Sequence, residues 1–355
     1  LSVNCEAGNG AKIFEPTSRI EVTEPLSGVG ETRFPVVSTL TNSVGGSGVE
    51  TLDSIRRNAP FQYAAQNRMV TYADYAALAL RNFSSYIDDV IAWGGESNIK
   101  PEFGSVFLSI IFDADLPEAT KTDVKQGISD LAESLAVASF LVKFSDPITT
   151  YVELNNTFQF NPALTTLSQN TIESQVKDVI VDYFTSNTGK FGQAFRRSNV
   201  LSLIDDVSPA ILSSRADIKL QQRFTPTAGT EANFDFSFPV PLAIADDVNH
   251  VVTSSTFNYK NKTCLIKNQL SSNKLQVFSL ADNLVVVDNV GQYVPSTGDV
   301  NIVGLTVDSF TGTSDIIKLS IVPANQSAIV PDREYVITYD ISRLVAQGSL
   351  TTATN

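Results

Sequence analysis

The sequence has a single histidine and only two cysteines among its 355 residues. A Ser-His-Asp or Cys-His catalytic arrangement would need His250, which begins a β-like run without a nucleophile motif beside it. Cys5 and Cys264 lie far apart with no neighbouring Cys or His, which fits neither a zinc site nor a disulfide-rich secreted scaffold. We therefore expect a surface or strand-edge histidine, reduced thiols, and no catalytic, metal or cofactor site.

Basic residues and long apolar runs are also scarce. Lys and Arg number 25 against 38 Asp and Glu, which gives a formal net charge of −13. Because affinity for nucleic acids rests mainly on neutralising phosphates, this balance argues against a general nucleic-acid binder. No run approaches the roughly 18 apolar residues of a membrane span, and "LSVNCEAGNG" has no signal-peptide pattern. The sequence predicts a soluble, intracellular protein without direct nucleic-acid contact or membrane insertion.

Acidic residues occur in pairs, at Asp88-Asp89, Asp205-Asp206 and Asp246-Asp247. Adjacent residues on a strand point to opposite faces, and these pairs lie at the ends of predicted elements, so a two-carboxylate glycosidase site is not indicated. The segments "STGD" and "TGTSD" are typical of turns, because too few acids converge for a calcium loop. We expect solvated carboxylates and a protein that is not an enzyme.

Three arginines precede a dense apolar run: Arg56, Arg57 and Arg68. Beside Ser, Thr, Tyr and Asp side chains they could clamp a phosphate or carboxylate. The same polar residues fit helix-cap chemistry, since Thr71 followed by Asp74 resembles a capping box. We favour the structural interpretation and expect the arginines, which have no evident intrachain task, to be solvated or to contact another subunit.

Helical spacing of apolar residues predicts the helices of the middle region. Their predicted N-terminal caps are Thr71, Asp115, Asn170 and Ser198. Their predicted buried faces are Tyr72, Tyr75, Ala76, Ala79, Leu80 and Phe83; Val124, Ile128, Leu131, Leu135 and Ala138; and Ile172, Val176, Val179, Ile180, Tyr183 and Phe184. Runs such as "IDDVIAWGG", "GSVFLSIIFDAD", "PITTYVELNNTFQF" and "AILSSRADIKLQQRF" alternate with these helices and are predicted to be strands.

The pattern changes near "TPTAGTEAN", after which only short strands separated by turns are predicted. We predict an α+β, multidomain chain. It comprises a loop-rich β segment with a short helix (1–69), an α+β region of small mixed sheets with helices on one face (70–228), and an all-β domain (229–355).

The order of several motifs resembles the baseplate J-like family of contractile-tail phages, and within it the C-terminal part of the large wedge proteins. The blocks are "VNCEAGNGAKIF", "VVSTLTNSVGGSGVETLDSIRRNAPFQYAAQNRMVTYADYAALAL", "AFRRSNVLSLIDDV" and "VGQYVPSTGDVNIVGL". The matching positions are Gly45, Gly46, Glu50, Arg56, Arg57, Arg68, Val70, Thr71, Asp74, Tyr75, Tyr293, Thr297 and Gly298. Family members have a sizeable N-terminal region that this chain, which begins at Leu1, is expected to lack.

The resemblance implies a non-enzymatic part of the virion, in the inner tail baseplate, assembled in the host cytoplasm as a late protein. It implies contact with other wedge proteins in a ring. Because a ring-building protein needs at least two contact surfaces, the three arginines and the strand edges of the all-β domain lead us to expect self-association as a two-fold homodimer. Rearrangement of that ring would couple host contact to sheath contraction and DNA ejection. A carbohydrate-binding or adhesin module is the first alternative, although Trp93 is the one tryptophan available for an exposed aromatic platform. A tail-associated hydrolase is the second.

Overall fold

The computed structural model describes residues 26–28, 31–33, 52, 55–56, 59–60, 63, 67–98, 100–136 and 140–350. Contacts along the chain divide it into two compact units, Leu1–Asp146 and Pro147–Asn355. In the predicted N-terminal segment, strands β1 (Leu26–Gly28) and β2 (Glu31–Arg33) form an antiparallel pair. Helical residues follow between positions 52 and 63.

The first unit is built around a three-stranded sheet with the order β3-β4-β5. Its elements are helix α1 (Tyr72–Asn82), strands β3 (Ile87–Gly94) and β4 (Ser105–Phe112), helix α2 (Glu118–Leu135) and strand β5 (Leu141–Ser145), with a 3-10 turn at Gly95–Ser97. β3 and β4 pair antiparallel, and β5 lies parallel to β4 after the crossover through α2. The predicted strands of this region are confirmed.

Helices α1 and α2 both contribute to the core of the first unit. Alternate residues of β4, Val106, Leu108 and Ile110, are buried in one cluster with helical side chains. The buried helical residues are Tyr75, Leu78 and Ala79 in α1 and Val124, Ile128 and Ala132 in α2. Tyr72, predicted to be buried, is 53% exposed because the inward stripe passes through Leu78 instead. Ala138 lies outside the described residues.

The start of α1 is the capping box that the sequence predicts. Thr71 is the N-cap and Asp74 is the third helical residue. One carboxylate oxygen of Asp74 accepts hydrogen bonds from the backbone N–H groups of Thr71 (2.8 Å) and Val70 (3.1 Å). The polar residues at this point of the motif therefore satisfy the backbone at a helix start, where orphan N–H groups need acceptors.

We expect Asp74→Ala to lower the free energy of unfolding by about 1 kcal/mol, because two backbone N–H groups lose their acceptor at the positive end of the helix dipole. Chemical denaturation followed by circular dichroism measures the change. Asp123→Ala is the matched control, since Asp123 is an exposed acid inside α2. Equal losses in the two variants would contradict the capping role.

The other three helices start at different residues from those predicted. α2 has Pro117 as its N-cap rather than Asp115, since proline fixes the extended approach immediately before the first turn. Ser168 caps α3 (Gln169–Asn187), where its hydroxyl accepts from the Thr171 N–H. α4 (Arg197–Asp205) begins one residue before the predicted cap Ser198. Sequence signals thus found each helix but misplaced its first residue.

The second unit contains α3, α4 and the remaining strands. The strands are β6 (Ile148–Phe160), β7 (Phe195–Arg196), β8 (Ile211–Phe224), β9 (Ala232–Ser237), β10 (Val252–Ser254), β11 (Phe257–Tyr259), β12 (Lys262–Asn268), β13 (Leu275–Ser279), β14 (Leu284–Val287), β15 (Gly291–Val294), β16 (Asp299–Leu305), β17 (Ser309–Phe310), β18 (Ile317–Ile321), β19 (Ala328–Ile329) and β20 (Tyr335–Leu350). A 3-10 turn at Pro162–Leu164 follows β6.

A large sheet organises the second unit, with the order β14-β13-β12-β10-β18-β8-β6-β20. Its most extensive pairings join β6 antiparallel to β8 and parallel to the last strand, β20. Apolar residues of these strands, such as Val152, Leu220 and Ile337, lie in one core cluster with Ile172, Val176 and other residues of α3 and α4. A second sheet, β15-β16-β9, and the pair β19-β7 complete the unit.

The α+β class is confirmed, since the described residues form four α-helices and several sheets, with strands alone after α4. The three-part domain division stays a prediction. The strands on either side of residue 228 pair with one another, β18 with β8 and β20 with β6. The second unit is therefore built from residues that lie far apart in sequence, and its last strand lies beside its first.

Candidate functional site

The candidate catalytic residues are not assembled into a site. His250 is half-buried just before β10, and its Nδ1 atom is buried without a hydrogen-bond partner among the described residues. Burial, together with the charge of Lys267, lowers the pKa of His250. Cys264 is fully buried, which raises the pKa of its thiol, and Cys5 lies outside the described residues. In the described part of the chain, no cluster of His, Cys, Asp and Glu could hold a metal ion.

The paired acids have separate local roles. Asp205 accepts a hydrogen bond from the Ser214 hydroxyl, and Asp246 accepts from the backbone N–H groups of Asn249 and Val248. These bonds, led by that of Asn249, lower the pKa of Asp246. Asp89 corrects the expectation of solvated pairs, since alternation along β3 buries it at 7% exposure while Asp88 stays exposed.

The arginines that precede α1 were predicted to have no partner within the chain. Arg56 and Arg68 are both exposed, and each makes an interaction within the chain, so the expectation that they lack intrachain partners is wrong. Arg57, Gly45, Gly46 and Glu50 lie outside the residues whose side chains the structure describes.

The late Tyr-x-x-x-Thr-Gly motif forms the β15–β16 hairpin. Tyr293 lies in β15 and is 1% exposed, while Thr297 and Gly298 lie in the connecting turn. The Thr297 hydroxyl donates to Asp299 over 2.6 Å, and the Phe238 N–H donates to the Gly298 carbonyl over 3.0 Å. The motif therefore closes a hairpin and ties it to the end of β9.

A network of charged residues covers one face of the large sheet. The register pairs Gln221 of β8 with Tyr151 of β6 and Ser320 of β18, so their side chains share one face. Glu153, Arg223 and Lys318 follow on the same face at positions two residues away. The neighbouring positions, such as Val152, Leu220 and Leu319, lie in the core that contains α3 and α4. The helices and the charged network thus occupy opposite faces of the sheet.

Asp340 of β20 is the centre of this network. Its side chain is 5% exposed, and its Oδ2 atom lies 2.5 Å from Lys318 Nζ and 3.1 Å from Arg223 Nη2. Oδ1 accepts from the N–H and the hydroxyl of Ser342, and Gln221 donates to Oδ2. Burial alone would raise the pKa of Asp340, but the hydrogen bonds from Lys318, Ser342 and Gln221 outweigh it and hold the pKa well below its usual range.

Further contacts hold Arg223 and connect the strands of the network. The Arg223 guanidinium lies over the Tyr151 ring at 3.6 Å from its centroid, a cation–π contact. Glu153 accepts hydrogen bonds from Gln221 (2.6 Å) and from the Ser320 hydroxyl (2.7 Å). One polar cluster therefore receives side chains from four adjacent strands of the sheet, β18, β8, β6 and β20.

A cleft of about 530 Å³ opens beside Asp340, and we call it the basic cleft. One wall is the stretch of β20 where the register with β6 shifts between Tyr339 and Leu344. The other wall is the loop from β17 to β18. The residues that line the cleft are Arg223, Ser255, Thr256, Phe310, Thr311, Gly312, Thr313, Ser314, Ile316, Lys318, Ser342 and Arg343.

Sequence reasoning did not identify the basic cleft. Its charged residues lie in three separate strand runs, "KLQQRF", "IIKLSIV" and "YVITYDISR". The available signal was a charged residue inside each β-like run, at a position where a solvent-facing or paired side chain is required. Which runs are neighbours depends on the sheet order, which local patterns do not specify.

The described helices include none that is long and apolar enough to cross a membrane. Two family models match the chain. "Baseplate structural protein gp6, C-terminal domain I" matches residues 71–133, in the first unit, and "Baseplate structural protein gp6, C-terminal domain III" matches residues 149–223, in the second.

A curated relative, "Baseplate wedge protein gp6" of Enterobacteria phage T4, is 25% identical over 196 residues, 53% of this chain. The match spans 28% of that relative's length. These findings confirm the predicted resemblance to the C-terminal part of a phage baseplate wedge protein. A chain of the anti-feeding prophage baseplate, solved by cryo-electron microscopy, aligns with a TM-score of 0.35 and 16% identity over 62% of this chain and 47% of its own.

Proposed function

We propose that the chain is a structural component of a contractile-tail phage baseplate wedge, in the virion, without an enzymatic role. The observation that carries this proposal is the match of two gp6 C-terminal domain models, I and III, in the same order along one chain. They fall in different compact units, so the resemblance is distributed over the chain instead of resting on one motif.

In this role the chain builds the inner baseplate ring and relays the ring's rearrangement to sheath contraction and so to DNA ejection. It is made late, is assembled in the host cytoplasm, and contacts other wedge proteins. Its large sheet suits a part that transmits force, because long paired strands and a continuous core couple residues that are distant in sequence. A load on β20 is passed directly to β6.

Self-association as a two-fold homodimer belongs to the same proposal. A ring-forming protein needs at least two contact surfaces, and closed two-fold pairing is the commonest arrangement of identical subunits. β14 is an edge of the large sheet, pairs only with β13 among the described strands, and carries the exposed apolar residues Leu284 and Val285. Such an edge calls for cover by another chain or segment.

Native mass spectrometry of the purified chain, alone and mixed with candidate wedge proteins of the same phage, tests the proposal. We expect a dimer at micromolar concentration and further complexes with at least one wedge protein. The capsid protein of the same phage is the control and should not bind. A strict monomer at high micromolar concentration in low salt refutes the homodimer, and failure to bind any wedge protein refutes the wedge role.

A further inference from the structure

The basic cleft has hydrogen-bond donors that lack acceptors. Among the described residues, the Arg343 guanidinium has no hydrogen bond or ion pair, and the Thr313 hydroxyl has none either. Ser255 and Ser314 use their hydroxyl oxygens as acceptors for the Lys318 and Ile316 N–H groups, so their O–H groups remain available to donate. The cleft therefore offers donors without partners from both walls.

The charges of the basic cleft leave one cation unbalanced. Arg223 and Lys318 both pair with Asp340, whose oxygens already accept from five groups. Glu153 accepts from Gln221 and Ser320 on the adjacent part of the sheet, and the loop's own acid, Asp315, is not among the lining residues. Arg343 is thus a free positive charge on a chain whose net charge is −13.

We propose that the basic cleft binds a carboxylate side chain from an extended acidic segment of a partner protein. A carboxylate matches the planar fork of Arg343 bidentately and accepts from the hydroxyl groups of the opposite wall. One unbalanced cation suits one carboxylate, whereas a nucleic-acid backbone needs several. Phe310 and Ile316, the apolar lining residues, would contact an apolar neighbour of the acid in the segment.

The proposal is independent of the assembly in which the chain works, so its failure would leave the baseplate role standing. The probe is the peptide acetyl-Gly-Leu-Glu-Leu-Gly-amide, titrated into the isotope-labelled full chain and followed by NMR. We expect saturable shifts of the Thr313, Ser314 and Arg343 amide resonances. The same peptide with glutamine in place of glutamate should bind about tenfold more weakly, because it loses the charge-assisted hydrogen bonds.

Two variants, each with a cation replaced by an anion, distinguish binding in the basic cleft from a general effect of the protein's charge. Arg343→Glu should weaken binding of the glutamate peptide by about tenfold or more, because a cation is replaced by a like charge. Lys177→Glu, at an exposed position of α3 on the helix-bearing side of the sheet, should change it less than about twofold. Unchanged spectra of residues away from the cleft would show that Arg343→Glu folds.

Three results would overturn the proposal. The first is no saturable shift with the glutamate peptide up to about 10 mM, well above a roughly millimolar dissociation constant. The second is equal binding of the glutamate and glutamine peptides. The third is inorganic phosphate that moves the same resonances with equal or higher affinity than the peptide, which would make the cleft a general anion site.

Discussion

Replacing Gly298 by alanine is expected to destabilise the second unit by about 3 kcal/mol, through backbone strain and overlap in a closely packed turn. Gly298 has φ of +84°, in the left-handed region that glycine favours. A Cβ atom there would lie 2.6 Å from the Val240 carbonyl oxygen and 2.7 Å from that of Phe238. Both atoms belong to the backbone, so neither can turn away as the end of a flexible side chain could.

Two other glycines separate the causes of this loss. Gly229 has a similar φ of +73° but open space around its Cβ position, so Gly229→Ala should cost only the strain, about 1 kcal/mol. Gly312 has an ordinary φ and a nearest atom at 3.9 Å, so Gly312→Ala should be close to neutral. Urea denaturation gives the three free energies of unfolding. A loss at Gly298 no larger than that at Gly229 would contradict the role of the two carbonyl contacts.

The prediction of local elements from the sequence worked where a few neighbouring residues determine the structure. The sequence identified the turn at Thr297 and Gly298 and the capping pair Thr71 and Asp74. The hydrogen bonds that form the turn and the cap join residues at most four positions apart. The N-cap of α3 was misplaced by two residues, at Asn170 instead of Ser168. Glu173 in the first turn accepts hydrogen bonds from Gln169 and also from the backbone N–H of Gly348, far along the chain in β20, a contact that no local pattern shows.

The basic cleft and its charged network could not be predicted from the sequence, because they depend on the order of the strands in the sheet. Arg223, Lys318 and Asp340 come together because β18, β8, β6 and β20 are neighbours in one sheet, although their sequence order is different. The alternation of polar and apolar residues indicates only that each strand has a polar face. A site made of one charge from each of several strands becomes visible only when the strand order is known.

Removing the Asp340 carboxylate should have the second large effect. We expect Asp340→Ala to lower the free energy of unfolding by about 2–3 kcal/mol, because it leaves two cations facing one another in a poorly solvated cluster. This loss in free energy of unfolding is smaller than the loss expected for a fully buried ion pair, because the side chains of Arg223 and Lys318 stay 28% and 26% exposed. Asp332→Ala is the matched control, as its carboxylate is 82% exposed and, among the described residues, pairs with neighbouring Arg333 alone.

The pH dependence of that difference identifies its electrostatic origin. Because the folded chain holds the pKa of Asp340 below its value in the unfolded chain, about 3.9, the carboxylate's contribution is fully present above that unfolded value. It is lost as the pH falls further towards the folded pKa. The stability gap between wild type and Asp340→Ala should therefore be constant from neutral pH down to about 5 and narrow below about 4. A gap that stays constant down to pH 3 would instead mean that Asp340 acts through packing, and that the cations beside the basic cleft are not held by its charge.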